Sequence, residues 1–477
     1  MPAPSPQQST SPSRPEPPCT GTLLTIDLPT ALRLANAGNP TIALARERVQ
    51  EAYYRLREAE AVWLPTLQTG PTYTRHDGRI QNSLGLIFPT SKNSFFEGGG
   101  AVLSVSTSDI LYGPLIARRL VDAQAEASRA VTDDVQLDVA LTYLDLLRVY
   151  GALAINAETL RLAGEMTRVA REAKRVEKSK TGADLNRALT ELNVRREERL
   201  ELEGQAAAVS ARLAQLLLLD PTVDLQPFDP AVVPITLVPE NHLSLNELVA
   251  VGLRNRPELA ESRDLVEAAL ARWRQAQWSP LLPRLQASYI AGTFGGGIND
   301  AMGNFGSRGD GLAQVIWELQ GLGCGYVAHA RVTRAQYNEA NIHVTEVAAQ
   351  VAAEVVEAAK VSLTRRRALA SAQAAVRQAE EMWRKLREIA FGIGGRLGHF
   401  DPLEPLTAEQ ALAQARQLYL TQVIEYNKAQ FRLYRAMGQP PLDALPQATA
   451  LPVRVPVAPR GLPTREAPAV GGAPCSG

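Results

Sequence analysis

Cysteine is scarce in this chain. There are three in 477 residues, with Cys19 and Cys475 in proline-rich ends and Cys324 at a turn. An odd, scattered set reads as three unrelated thiols, which argues against a disulfide framework or a cysteine metal site. Cys19 follows Pro17-Pro18, unlike the box that precedes a lipid-modified cysteine. Aromatic residues are also few, at 5% against 45% hydrophobic overall, so Ala, Leu and Val carry the apolar content. That composition suits closely packed helices better than a bulky globular core. Net charge is missing as well: 50 Lys and Arg balance 50 Asp and Glu. No global field draws the chain to nucleic acid or to anionic lipid.

No stretch approaches the ~18 uncharged apolar residues of a membrane-spanning helix. The longest candidate runs only from Leu213 to Leu219. Any bilayer crossing would therefore have to be a closed β-barrel. The opening residues, Met1-Pro-Ala-Pro-Ser-Pro, show neither a basic region nor an apolar one, so no secretory signal is visible there.

Signs of chemistry are sparse too. His76, His242, His329, His343 and His399 are dispersed without ligand spacing, so no metal is expected. Gly321-Leu-Gly-Cys-Gly325 sits between a strand and a helix, but its third glycine comes one residue early for a dinucleotide loop. It reads as a strand-to-helix turn. Acid pairs such as Asp133-Asp134 and Glu197-Glu198 fall on charged helical faces, where exposure is the default. No Ser, Cys or Lys has a convincing catalytic partner, so no enzyme activity and no cofactor are expected.

What the chain does have is a duplication. Asp27-Leu-Pro-Thr-Ala-Leu-Arg-Leu-Ala-Asn-Ala-Gly-Asn-Pro40 is answered by Ser244-Leu-Asn-Glu-Leu-Val-Ala-Val-Gly-Leu-Arg-Asn-Arg-Pro257. Leu64-Pro-Thr-Leu-Gln68 is answered by Leu282-Pro-Arg-Leu-Gln286. Such a spacing lies far above the ~50-residue period of short-repeat solenoids. The expected organisation is a disordered tail over 1–22, a first repeat over 23–218, a linker over 219–242, a second repeat over 243–440 and a Pro/Ala-rich tail over 441–477.

Each repeat runs through the same elements. Asp27 and Ser244 stand at N-cap positions, Ser244 with Glu247 at capping-box spacing. Pro40 and Pro257 open second helices running to about Trp63 and Gln277. Extended runs follow at Leu67–Thr74 and Gly100–Ser108, and at Leu285–Gly292 and Leu312–Leu319, separated by Gly-, Asn- and Ser-rich loops. Four strands of roughly ten residues match the ~9 to 11 that cross a bilayer at a tilt. Long helices come next, about 115–178 and 326–390, each roughly 60 residues and about 90 Å. Return helices are expected over about 184–218 and 403–437. Second and return helices together nearly equal the long helix, so the two could stack end to end beside it.

The order Leu28-x-x-Ala-Leu32, Asn39-Pro40, Leu64-Pro65, a strand pair, a long helix with Ala140-x-x-Tyr143-Leu-Asp-Leu-Leu147, then Gly182-Ala-Asp184-Leu185 resembles the TolC-like outer-membrane efflux and secretion channels. The second copy carries Asn255-Arg-Pro257, Leu282-Pro283 and Leu433-Tyr-Arg-Ala-Met-Gly438. The resemblance covers about residues 23 to 440. It implies a mainly α fold of two tandem repeats of very long antiparallel helices, with four strands per chain. Three chains would then build a 12-stranded β-barrel in the outer membrane above an α-helical tunnel. It further implies a passive duct that accepts substrates from an inner-membrane pump through a periplasmic adaptor, with outer-membrane lipid around the barrel.

The family closes its periplasmic end at the two helical tips. Its acidic pattern falls on Asp401-Pro-Leu-Glu404, and spacing of three puts both carboxylates on one helix face. Three chains would give two anionic rings that favour cations and gate them. The first-tip acid falls on Asp184, and Arg396 lies near the family's tip arginine, one residue further from Asp401. Asp184 and Asp401 also read as simple N-caps, with Pro402 at the first helical position. Lys180, Thr181 and Gly182 in the first tip, and Gly392, Gly394 and Gly395 in the second, are the expected adaptor contacts. The rival reading is a soluble or peripheral coiled-coil scaffold without channel activity. Its discriminating feature is apolar alternation in the strands, good over Gly100–Ser108 and poor over Gly70–Arg79. Neither strand pair shows a strong aromatic girdle, though Phe88, Phe95, Phe96, Tyr289, Phe294 and Phe305 suit membrane interfaces.

Overall fold

The computed structural model of the chain describes residues 23–176, 183–228, 232–238, 244–391 and 403–444. The first repeat comprises β1 (Leu23–Ile26), α1 (Leu28–Gly38), α2 (Pro40–Glu60), β2 (Thr66–Gln81), β3 (Ile87–Ser106), α3 (Thr107–Val176) and α4 (Ala183–Leu217), and β4 (Asp224–Pro227) lies in the linker that follows. The second comprises α5 (Leu245–Asn255), α6 (Pro257–Trp278), β5 (Arg284–Ile298), β6 (Gly303–Ile316), α7 (Cys324–Phe391) and α8 (Leu403–Ala436). Short 3-10 turns stand at Ser279–Leu281, Gln320–Gly323 and Pro441–Ala444.

The helix starts follow the expected caps. Asp27 Oδ1 accepts from Thr30 N at 2.9 Å, and Ser244 with Glu247 forms a complete capping box. Pro40 and Pro257 occupy first helical positions, where a missing N–H costs nothing. The two long helices reach 70 and 68 residues, about 105 and 100 Å. α3 starts eight residues earlier than the sequence suggests, because β3 runs into it without a turn. Thr107 fixes this junction by donating from Oγ1 to Pro283 O at 2.7 Å.

The strands correct the expectation. They span 16, 20, 15 and 14 residues instead of about ten. Much of the Gly-rich sequence read as loop is paired sheet, leaving only residues 82–86 and 299–302 as connections. Glycine there often serves packing: a Cβ at Gly295 would stand 2.4 Å from the Phe305 ring. The first connection is a tight turn in which Asn82 Oδ1 accepts from Leu84 N and Leu86 N, each at 3.0 Å.

α2 and α4 both pack along α3, and α6 and α8 both pack along α7, so each second and return helix stacks end to end as expected. α6 and α8 also pack on α3. The main core sits where the stacked helices meet. It gathers Leu28, Ala31 and Leu32 of α1, Ala140, Tyr143, Leu144 and Leu147 of α3, Leu213 and Leu217 of α4, and Ile424 and Phe431 of α8. The Ala140-to-Leu147 motif is thus the stripe that α3 turns into this core. β1 and β4 pair in parallel above it, and Tyr143 donates its hydroxyl to Ile26 O at 3.3 Å. At four residues each, these two strands are too short for alternation to reveal.

Candidate functional site: a wall with two open edges

The sheet order is β2-β3-β5-β6, all antiparallel. The helices lie in the same order: α2 and α4 against α3, α3 against α6 and α8, and these against α7. The chain is therefore one continuous wall whose two ends are β2 over α2 and β6 over α7. Among the described residues nothing pairs with the outer edges of β2 and β6. An unpaired strand edge is a row of open donors and acceptors that another chain completes. Large apolar residues are exposed along both helical edges, Leu44 and Tyr54 on α2 and Val332 and Ile342 on α7.

Register sorts the side chains onto two faces. Toward the helices, one face carries Leu67, Ala101, Leu103, Leu285, Ala287, Tyr289, Ala313 and Val315. The other carries Gln68, Ser104, Gln286, Ser288 and Gln314, among Val102, Ile290 and Leu312. Alternation is clearest in β3 and β5; in β2 only Leu67, Pro71 and Tyr73 carry the apolar face, and beyond Tyr73 it gives way to charge. Exposed Trp63, Trp278 and Trp317 mark the helix-side end of the sheet. Ten residues further along β5 an aromatic row crosses the apolar face. There Tyr73 lies opposite Phe95, Phe95 lies opposite Gly295, and the Phe95 and Phe305 rings meet edge to face at 6.4 Å. Ten residues of strand rise about 33 Å, or about 25 Å at an ordinary barrel tilt, the height of a membrane barrel's apolar band. Between the two belts Glu97 is the only charged residue on this face. Beyond the row charge returns, with Arg75 pairing Asp77 at 2.7 Å and Asp300 at 2.9 Å. Sequence reading missed the tryptophans because all three lie just outside the strands.

Two buried ionic clusters tie the helical wall together. Where α6 meets α8, Arg435 pairs with Glu258 at 2.7 Å and with Asp134 of α3, and Arg256 pairs with Glu354 of α7 at 2.8 Å. These groups line a cleft of about 640 Å³. Burial pushes the neighbouring Asp133 carboxyl up to about 6, with Arg435 opposing. The acid pair read as solvent-facing is thus half inside the wall, since Asp133 is 9% exposed. Nearer the tips, Glu409 of α8 is 2% exposed and neither of its oxygens has a partner. Burial raises it to about 8; Glu191 of α4 adds to the shift and Arg195 opposes it. Glu191 itself holds Arg195 at 2.8 Å and accepts from Gln410 at 2.7 Å.

Of the expected gate, Asp401 and Arg396 lie outside the described residues, as do the expected adaptor contacts Lys180, Thr181, Gly182, Gly392, Gly394 and Gly395. The backbone places Asp184 second in α4 and Glu404 second in α8. The two occupy equivalent helix starts at the same end of the wall. Cys324 is a free, exposed thiol at the start of α7, directly after the Gly321–Gly323 turn that the sequence indicated. Among the described residues no cluster of acids, His and Cys could hold a metal ion, and no helix is long and apolar enough to cross a membrane.

No family model matches this sequence, and no curated protein matches it. Solved structures do. The chain superposes on CusC, whose structures concern transmembrane channel formation, with a TM-score of 0.69, 18% identity and coverage of 91% of this chain and 99% of that one. The Campylobacter jejuni CmeC outer-membrane channel gives 0.69 at 16% identity, covering 86% and 85%. The outer-membrane protein VceC from Vibrio cholerae gives 0.67 at 18% identity, covering 86% and 96%. With its paired repeats, its shared wall order and these superpositions, the chain has the fold of the TolC-like outer-membrane channels.

Proposed function

We propose that this protein is the outer-membrane exit duct of a tripartite efflux pump or type I secretion system. The observation that carries the reading is the coincidence of edges. One chain leaves β2 and β6 open in the sheet and α2 and α7 open in the helical layer, in the same order. Four strands are too few to close a pore, so copies must join, and joining closes barrel and tunnel together. The apolar band between two aromatic belts supports a bilayer around the barrel. Three copies of four strands would make a barrel of twelve, as in the resemblance that the sequence carries. The helical tunnel would extend into the periplasm, its tips meeting an adaptor and an inner-membrane pump. In this role the chain hydrolyses nothing; its partner pump supplies the energy.

The test is membrane fractionation followed by electron microscopy of detergent-extracted protein. The expected particle is a three-fold cylinder recovered from the outer membrane. A soluble monomer, or particles without three-fold symmetry, would refute the duct.

A further inference from the structure

The repeats differ where sheet passes into helix. In the first, Ser106 leads straight into Thr107 and the junction is polar. In the second, seven residues intervene, 317–323, and they are conspicuously apolar on one side. Ala313 and Val315 lie on the apolar face of β6, which ends at Ile316; Trp317 and Leu319, next in the same odd-numbered series, are both exposed. Glu318, of the opposite parity, lines a polar cleft with Ser106, Asp109 and Arg284. The chain then turns through Gly321, Leu322 and Gly323, all at positive φ, with Leu322 at +55°. A leucine in left-handed backbone is strained and uncommon. Leu322 is also 97% exposed, so this chain offers it nothing to pack against. Trp317 is held in place by a hydrogen bond from Nε1 to Leu281 O at 3.3 Å.

We propose that Trp317, Leu319 and Leu322 form a foot that rests in the phospholipid leaflet on the helix side of the bilayer, at the boundary of headgroup and acyl chain. The proposal rests on the reading of a membrane-embedded barrel. Three observations favour lipid as the occupant. The patch follows directly in sequence on the last residues of the apolar face, Ala313 and Val315. It begins at the tryptophan belt, where amphipathic rings settle at a membrane interface. A neighbouring copy would pair with the backbone edge of β6, in the plane of the sheet, leaving side chains of this face pointing outward. The foot occurs once per chain, because the first repeat has no counterpart. It would fix the depth at which the barrel sits and keep the start of α7 against the membrane surface.

The experiment uses the full chain in phosphatidylcholine vesicles, with Cys19, Cys324 and Cys475 replaced by serine. An environment-sensitive fluorophore is attached at Leu322→Cys, at Tyr289→Cys within the band, or at the exposed α4 position Leu200→Cys. The probe is phosphatidylcholine carrying a nitroxide at a shallow acyl carbon. The label at 322 should emit at shorter wavelength than that at 200 and be quenched roughly twofold or more. Quenching at 289 with aqueous behaviour at 322 overturns the foot and leaves the barrel standing. Aqueous behaviour at both positions overturns the barrel reading itself, and the foot with it. A shielded but unquenched label at 322, with Leu322→Cys cross-linking to Leu64→Cys on a second copy, overturns lipid as the occupant in favour of a contact between copies.

Discussion

Asn39 donates from Nδ2 to the carbonyl of Leu216 at 2.8 Å while its Oδ1 accepts from Thr41 N at 2.8 Å. One buried side chain thus caps the start of α2 and satisfies an end carbonyl of α4, binding the two stacked helices at their joint. Replacing Asn39 with Ala removes both bonds and should cost about 2 kcal/mol of stability. Asn39→Asp keeps the cap acceptor and loses the donor, so it should fall between Ala and the parent. Thermal unfolding of the three proteins orders them: equal midpoints for Asp and the parent would mean that the Leu216 bond contributes nothing, and equal midpoints for Ala and Asp that the cap contributes nothing.

The joint in the second repeat depends on Gly438. This residue follows α8 at φ +73°, and a Cβ there would stand 2.6 Å from the backbone of Asn255. Gly438→Ala should destabilise by roughly 2 kcal/mol or more, since backbone strain and a backbone clash combine. Gly204, on exposed α4 with open space around its Cβ position, should accept alanine with a small gain. A similar loss at both sites in denaturant unfolding would refute the assignment.

Arg435 is the shared cation of the α6–α8 cluster. Arg435→Met leaves half-buried Glu258 to Arg256 alone and takes a cation from the more exposed Asp134 and Glu354, an expected loss of about 1 to 2 kcal/mol at neutral pH. The loss should shrink toward pH 5, because burial raises the Asp134 carboxyl and pushes Asp133 up to about 6, so these two acids shed charge as pH falls. Melting curves at the two pH values decide this, and a pH-independent loss would assign Arg435 to packing alone.

Glu409 sets a pH dependence of opposite kind to a salt-bridged acid. Its folded value, about 8, lies above the ordinary 4.5, so the folded state holds the proton more tightly than the unfolded one. Its contribution is complete below about pH 4.5 and is lost as pH rises through 8. Glu409→Gln should remove that slope, gaining on the order of 2 kcal/mol at pH 8.5 and little at pH 5. Parallel pH profiles for the two proteins would count against a protonated Glu409.

At the tips, replacing Asp401 and Glu404 together with Ala should change single-channel conductance and cation block in planar bilayers. Conductance and block identical to the parent would leave both residues as helix caps.

The sequence made most helix starts legible almost to the residue, the start of α3 excepted. α4 and α8 begin at 183 and 403, where the Gly-containing segments indicated, with Asp184 inside the first turn of α4 instead of at its cap, and α1, α2, α5 and α6 start at their Asp27, Asn39, Ser244 and Arg256 boundaries. Helix signals are local, written in caps, prolines and a 3.6-residue period. The sheet was harder to read. Gly98 to Gly100 and Gly295 to Gly297 looked like loops, because nothing local says that glycine is making room for a neighbouring strand. The tryptophan belt and the buried Glu409 depend on partners more than two hundred residues away in sequence or on another element, which periodicity does not encode.

α3 and α7 run unbroken through the level at which their neighbours are jointed. Half of the wall is thus continuous beam and half is articulated. From its joint α8 extends 34 residues, about 51 Å, so a rotation of only about 5° there carries its far end by about 4 Å. α4 has the same reach on the other side of α3. In mechanical terms the stacked helices are long arms on short bearings: Asn39 is the pin of one and the Arg435 cluster the pin of the other. By this geometry a turn at either pin would be magnified along its arm.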